Sequence, residues 1–217
     1  GDMSQLLFCT PAFMAESYTV PAEVTNIPAG VFQNVTTLKS LTFEAGSAPL
    51  TIGDYAFAGT GITSVQLPAR LYSLGTHVFS NCADLTTVTF EDGFTFGSIP
   101  DHTFARSGLA SIALPACITS IGVSAFENTP IVSITFGDSD HPSQLYMIGS
   151  NAFYGCTQLT GIEIPATVRY LGGTLSDGVI TFSASQEVNT FYGCTSLRTV
   201  TFLGDLIEAI GGYTFYG

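Results

Sequence analysis

A phenylalanine returns along this chain at a nearly constant interval, and that interval limits the folds open to it. Phe32, Phe57, Phe79, Phe104, Phe126, Phe153, Phe191 and Phe215 are separated by 25, 22, 25, 22, 27, 38 and 24 residues. Self-similarity at a period of about 20–30 residues marks a solenoid, in which each unit buries its apolar face only by stacking on its neighbours. After each Phe, a loop leads into an apolar-x-x-apolar-x-apolar pattern. It runs Leu38-Leu41-Phe43, Ile62-Val65-Leu67, Leu85-Val88-Phe90, Leu109-Ile112-Leu114, Ile131-Ile134-Phe136, Leu159-Ile162-Ile164 and Leu197-Val200-Phe202. The last two apolar positions of each lie two apart and so share one face of a strand. The recurring Phe is expected to be an inward knob, stacked coil upon coil.

Two kinds of strand alternate. One ends in Phe43, Phe90, Phe136 or Phe202 and enters a Gly-containing acidic loop. The other ends at Pro68, Pro115 or Pro165, followed by Ala69, Ala116 or Ala166 and then by Gly75, Gly122 or Gly172. Proline lacks an N–H and ends strand pairing, and the glycines are expected to permit the tight turns of a narrow coil. The structural unit is therefore a pair of coils; Phe57 and Phe104 are 47 residues apart. We expect an α/β-type repeat solenoid built mostly of short β-strands, with little helix and about eight coils over residues 18–217. Residues 1–17 do not align with the repeat. Their apolar Leu6-Leu7-Phe8 and Phe13-Met14 suit an N-terminal cap or a degenerate coil.

Between Gly172 and Phe191 the spacing swells, which places an insertion at about 173–187. Ser176-Asp177-Gly178 between apolar flanks reads as a hairpin turn. Such insertions map to loops and often carry binding, which makes Asp177 and Phe182 candidate partner contacts. A tolerated surface excursion is the competing reading.

Only 10% of the 217 residues are charged, far below the ~25% of a typical domain. Ser, Thr, Asn, Gly and backbone must then cover the surface. The basic residues are Lys39, Arg70, Arg106, Arg169 and Arg198, against 17 acidic ones, for a net charge of −12. Nucleic-acid binding needs clustered cations and is excluded as an expectation. The same balance argues against anionic membranes, and no run approaches the ~20 apolar residues of a membrane span. The start, Gly1-Asp2-Met3-Ser4, lacks the pattern of a signal peptide. The stop at Gly217, where other repeats continue into a strand, suggests a piece of something longer.

Outward strand positions form columns once coils stack ~4.8 Å apart. One reads Ser40, Ser64, Thr87, Ser111, Ser133, Gly161, Thr199, and the next reads Thr42, Gln66, Thr89, Ala113, Thr135, Glu163, Thr201. This neutral, hydroxyl-rich face holds no nucleophile–base pair. Thr42, Gln66, Thr89, Thr135, Glu163 and Thr201 are candidate contacts on a binding platform for protein or glycan; ordinary exposed-strand composition is the alternative. Acidic residues Glu44, Glu91, Asp92, Asp138, Asp140 and Asp205 follow the Phe-type strands along one edge. Calcium is conceivable at Asp138-x-Asp140, but each loop offers only one or two carboxylates and no EF-hand spacing exists, so solvated charge explains them better. No metal site and no cofactor is therefore expected. Tyr55, His77, His102 and Tyr213 share the position two before the Phe, as an aromatic column. Cys82, Cys156 and Cys194 share the slot three after it, where a small buried side chain fits. Cys156 and Cys194 fall in adjacent units, but stacked positions rarely offer disulfide geometry.

The unit is nearly complete at Ile148-Gly149, Ala152-Phe153, Cys156-Thr157, Leu159, Ile162 and Ile164-Pro165. It resembles the leucine-rich repeat of the BspA-like family of bacterial surface proteins, over about residues 18–217. The resemblance implies a right-handed leucine-rich repeat superhelix, an extracellular or cell-surface location, and adhesion to host or neighbouring-cell proteins or glycans. A structural spacer displaying another domain is the alternative. It brings no catalytic residues, and a non-enzymatic monomer is expected. The Asn found at the turn of commoner leucine-rich repeats is replaced here by Gly46, Gly93 or Cys117, so an Asn ladder cannot satisfy the turn amides.

Overall fold

Two rows of short parallel strands wind around one aromatic spine in the computed structural model, which describes residues 15–176, 179–181 and 188–216. The front row comprises β1 (Ser17–Val20), β3 (Ser40–Phe43), β5 (Ser64–Leu67), β7 (Thr87–Phe90), β9 (Ser111–Leu114), β11 (Ser133–Phe136), β13 (Gly161–Ile164) and β16 (Thr199–Phe202). The back row comprises β2 (Asn26–Ile27), β4 (Leu50–Ile52), β6 (Leu71–Leu74), β8 (Ser98–Ile99), β10 (Ser120–Ile121), β12 (Met147–Gly149), β14 (Tyr170–Ser176) and β17 (Ala209–Ile210). The eight rungs of each row enclose about seven complete turns, and the described residues contain no helix. All but the last three residues of the expected N-terminal cap lie outside the described residues, as does Cys9.

The spine accounts for the repeat. Phe32, Phe57, Phe79, Phe104, Phe126, Phe153, Phe191 and Phe215 stack with centroids 5.3–5.8 Å apart and planes within 19° of parallel. This is the offset stacking that aromatic quadrupoles favour. All are buried except Phe215, on the last rung. Their register is locked by backbone: the Phe57 N–H donates to Val78 O at 3.1 Å, Phe79 to Thr103 O at 2.9 Å and Phe104 to Ala125 O at 2.9 Å. Beside them, the middle apolar residue of each early front strand is buried (Leu41, Val65, Val88, Ile112). The strand kinds differ at their ends. Leu67, Leu114 and Ile164 are buried, whereas Phe43, Phe90 and Phe136 are half-buried and pack on the core from outside.

Sharp corners bracket the spine. Residues two before and two after the Phe take positive φ, as at Tyr55 (57°), His77 (59°), His102 (54°), Asn81 (58°) and Arg106 (58°). A non-glycine residue there costs roughly 1–2 kcal/mol, offset by the interstrand bonds the corner permits. The glycines of the Pro-type coils have a different role from the expected turn flexibility. Neither Gly75 nor Gly122 has positive φ; instead, a Cβ on Gly122 would sit 2.6 Å from the Asp101 amide nitrogen. They let successive coils approach closely. Only Gly172, at φ 84°, answers to the backbone-turn reading.

Polar caps stitch neighbouring coils together. Asp54 Oδ1 accepts the Thr76 N–H at 2.7 Å, Asp101 Oδ1 accepts that of Val123 at 2.7 Å, and Asn151 Oδ1 accepts that of Asn189 at 3.1 Å. On the other edge, Glu44 accepts the Ala22 N–H at 3.1 Å and Glu91 the Ala69 N–H at 2.8 Å. These two carboxylates therefore correct the reading of the acidic edge as simply solvated charge: each occupies an amide freed after a proline. Arg70 reaches furthest, donating to Val24 O (2.7 Å), Pro21 O (3.2 Å) and Ala48 O (3.4 Å). Charged hydrogen bonds of this kind contribute about 1.5–3 kcal/mol each at most. Arg70→Met keeps the apolar stem and removes the donors; we expect it to lower the unfolding free energy by about 2 kcal/mol in a urea titration. A loss under about 0.5 kcal/mol would show that water replaces the clamp at no cost.

The hairpin expected in the insertion has antiparallel strands, with β15 (Val179–Thr181) pairing β14 through Thr174↔Thr181, Leu175↔Ile180 and Ser176↔Val179. Its turn residues, with Asp177, and the segment 182–187, with Phe182, lie outside the described residues.

Candidate functional site

Thr42, Gln66, Thr89, Thr135, Glu163 and Thr201 all occupy the third position of a front strand, and all are exposed. The ladders set Gln66 beside Thr89, Glu163 beside Thr201, Thr135 beside Ala113 and Thr42 beside Thr19. Thr19 Oγ1 and Thr42 Oγ1 lie 2.8 Å apart, a hydroxyl ladder of the kind exposed strands form.

The front row is not one sheet. It divides into β1-β3-β5-β7, β9-β11 and β13-β16. Between β11 and β13 the coils stay joined elsewhere: Phe126 N–H donates to Ala152 O at 2.8 Å along the spine, and β10 pairs with β12 in the back row. Only the front opens, as a wedge. A longer loop borders the opening: the stretch from Gly137 to Pro142 is tied by an antiparallel bridge between those two residues and lies within the Phe126–Phe153 step of 27 residues.

The wedge is a cleft of about 570 Å³ whose floor and walls are mainly apolar: Ile134, Phe136, Ile162, Pro165 and Leu203. Thr135 and Glu163 face into it from the two strands, and Asp138 stands at its rim. Gly161, which breaks the column of Ser and Thr, also lines it. Across the 137–143 loop lies a second groove of about 730 Å³, bordered by Glu91, Asp92, Asp138, Asp140 and His141. The hydroxyl columns pointed to the front face but not to the cleft. The long step and the Gly161/Glu163 interruption are the signals that could have located it; Pro142, Ser143 and Leu203 carried none.

Asp138 is largely engaged by its own loop. Its Oδ1 accepts the His141 N–H at 2.7 Å and the Asp140 N–H at 2.9 Å, and His141 Nδ1 lies 3.2 Å away. The His141 and Asp140 amides hold its carboxyl below the usual carboxylate range. Asp138 and Asp140 thus build a turn rather than a paired ligand set, and among the described residues no three His, Cys, Asp or Glu converge as a metal would require.

The aromatic column stacks with Tyr55 to His77 at 4.4 Å and His77 to His102 at 4.2 Å. Imidazole lone pairs lie in the ring plane, so stacked rings cannot both aim at one ion between them. Burial lowers the pKa of His77, and His102 lowers it further, against the opposing pull of Asp101 and Asp54. The Glu127 carboxylate lies 4.0 Å from His102. The unfolded chain therefore takes up a proton near pH 6.5 before the folded chain does. Stability is expected to be level well above that value and to fall as pH drops through about 6.5. His77→Tyr, which places there the residue the preceding coil carries at Tyr55, should flatten this slope in urea titrations. An unchanged slope would assign it to other groups.

Cys82, Cys117, Cys156 and Cys194 are free thiols. Cys82, Cys156 and Cys194 each donate to the preceding spine carbonyl, Phe57 O, Phe126 O and Phe153 O, at 3.1 Å. In intervening coils, Thr60 and Thr129 donate to Phe57 O and Phe126 O. The slot therefore takes a small side chain, a donor in these five coils, although Val35 fills it without one. The hydrogen bond that Cys194 donates to Cys156, together with burial, pushes the Cys194 thiol up, away from reactive thiolate.

A strand-and-corner coil stacked on a Phe spine, with an exposed ladder face, defines a repeat solenoid. The chain belongs to the BspA-type leucine-rich repeat family: six copies of the repeat match across residues 8–132, 50–177 and 174–217. The fold is shared with the pneumococcal vaccine antigen PcpA, at 19% identity and a TM-score of 0.58, over 96% of this chain and 62% of that one. It is shared too with a leucine-rich repeat protein from Bacteroides ovatus, at 21% identity and a TM-score of 0.50, over 97% of this chain and 67% of that one. This chain thus spans less than two thirds of the length of PcpA. No curated protein matches it. No helix among the described residues is long and apolar enough to cross a membrane.

Proposed function

We propose that this chain is a non-enzymatic interaction module of a bacterial surface or secreted protein, adhering through its front sheet to protein or glycan on a host or neighbouring cell. Membership of a leucine-rich repeat family supports an interaction role. The observation that carries the reading furthest is the front face itself: an exposed column of hydroxyls and one carboxylate, interrupted by a mainly apolar cleft. Large concave surfaces with few polar anchors are what solenoids offer their partners. The test is to present the purified chain to arrays of extracellular-matrix proteins and of glycans. Saturable binding weakened by Thr89→Arg or Thr135→Arg is expected, and no binding on either array would defeat the adhesive role.

A spacer holding another domain away from the cell is the second reading, favoured by the caps and the Arg70 clamp that brace successive coils. A front-face substitution separates the two. Partner binding that Thr135→Arg weakens favours adhesion, and absence of partner binding with intact display of a fused domain favours the spacer.

A further inference from the structure

We propose that the cleft between β11 and β13 takes an extended, basic segment of a partner polypeptide; this rests on the reading of the front face as adhesive. The first ground is main-chain. β11 pairs only with β9 and β13 only with β16, so two strand edges face each other across the opening without a ladder between them. Unladdered edges present N–H and C=O groups, which an added extended peptide can satisfy. A globular or helical ligand satisfies its own backbone and has no use for them.

The second ground is charge. Glu163 lines the cleft, Asp138 stands on its rim with its carboxyl held in the ionised form, and no Lys or Arg lines it. The groove across the 137–143 loop adds Asp92 and Asp140, so a cation finds carboxylates at both ends of its path. Ile134, Phe136, Ile162 and Leu203 meanwhile offer an apolar floor. An extended chain places successive side chains on opposite faces. Alternating apolar and basic residues would then set one row on the floor and the other towards Glu163 and the rim. Gly161, lacking a side chain at the mouth, leaves the approach open.

The probe is a fluorescein-labelled Lys-Val-Lys-Val-Lys-Val peptide titrated by anisotropy into the 217-residue chain, with Glu-Val-Glu-Val-Glu-Val as its counterpart. We expect saturable one-to-one binding of the basic peptide and none of the acidic one. Glu163→Gln should weaken it roughly five- to tenfold, the worth of one charge-assisted hydrogen bond. Thr135→Arg, which sets a cation inside the cleft, should abolish it. Tyr72→Arg, exposed on the back row and outside the cleft lining, should change affinity less than twofold. Binding that Glu163→Gln and Thr135→Arg leave intact, or that Tyr72→Arg reduces equally, would reveal unspecific attraction to an acidic protein and overturn the proposal. So would absence of binding. If arrays show adhesion but the peptide does not bind, only the cleft assignment fails; if the peptide binds and the arrays stay blank, only the adhesive role does.

Discussion

Phe104→Ala should lower the unfolding free energy by about 3–5 kcal/mol, the loss expected when a fully buried aromatic is cut to a methyl in a central coil. Phe104 is completely buried, with Phe79 stacked 5.8 Å away on one side and Phe126 5.6 Å away on the other. Its backbone belongs to the corner that joins neighbouring coils, so the surrounding chain cannot collapse to refill the space. In a solenoid the loss falls on both adjoining interfaces, because each coil is stabilised mainly by its neighbours. Urea titration measures it, and a change below about 1 kcal/mol would contradict the spine as the main packing element.

Gly122→Ala should be almost as damaging, about 3 kcal/mol, at the upper end of overpacking costs. The added Cβ would lie 2.4 Å from Asp101 Oδ1, 2.6 Å from the Asp101 amide nitrogen and 2.8 Å from Pro100 carbonyl carbon. Two of these are backbone atoms of the next-door coil and cannot turn aside. Relief would require separating the coils, which also loosens the Asp101 bond to the Val123 N–H. The sign of the effect is diagnostic. At an uncrowded site, glycine-to-alanine stabilises by about 0.4–1 kcal/mol through the unfolded chain, so a stabilised variant would refute the close approach of the coils.

How much of this was legible beforehand follows from what each residue depends on. The Phe spine and the front-strand pattern were readable because their cause is periodic burial, and periodicity survives in a bare sequence. The shared position of Thr42, Gln66, Thr89, Thr135, Glu163 and Thr201 followed for the same reason. Glu44 and Glu91 were harder. Their partners, the amides of Ala22 and Ala69, lie one coil away, and spacing alone does not tell a capping carboxylate from a solvated one. The role of Gly122 was missed because close approach and left-handed turns select the same residue. The cleft was hidden more deeply still: it is the absence of a ladder between β11 and β13, a property of neither strand alone.

The caps have a consequence for how such a chain can change length. Asp54 and Asp101 sit one full pair of coils apart, as do Glu44 and Glu91, each serving an amide on an adjacent coil of the opposite kind. Gain or loss of a single coil would bring two like coils face to face, with one carboxylate lacking its amide and one amide lacking its acceptor. Gain or loss of a pair leaves every partnership intact. The molecule is thus a tape that tolerates cutting and copying only at every second mark.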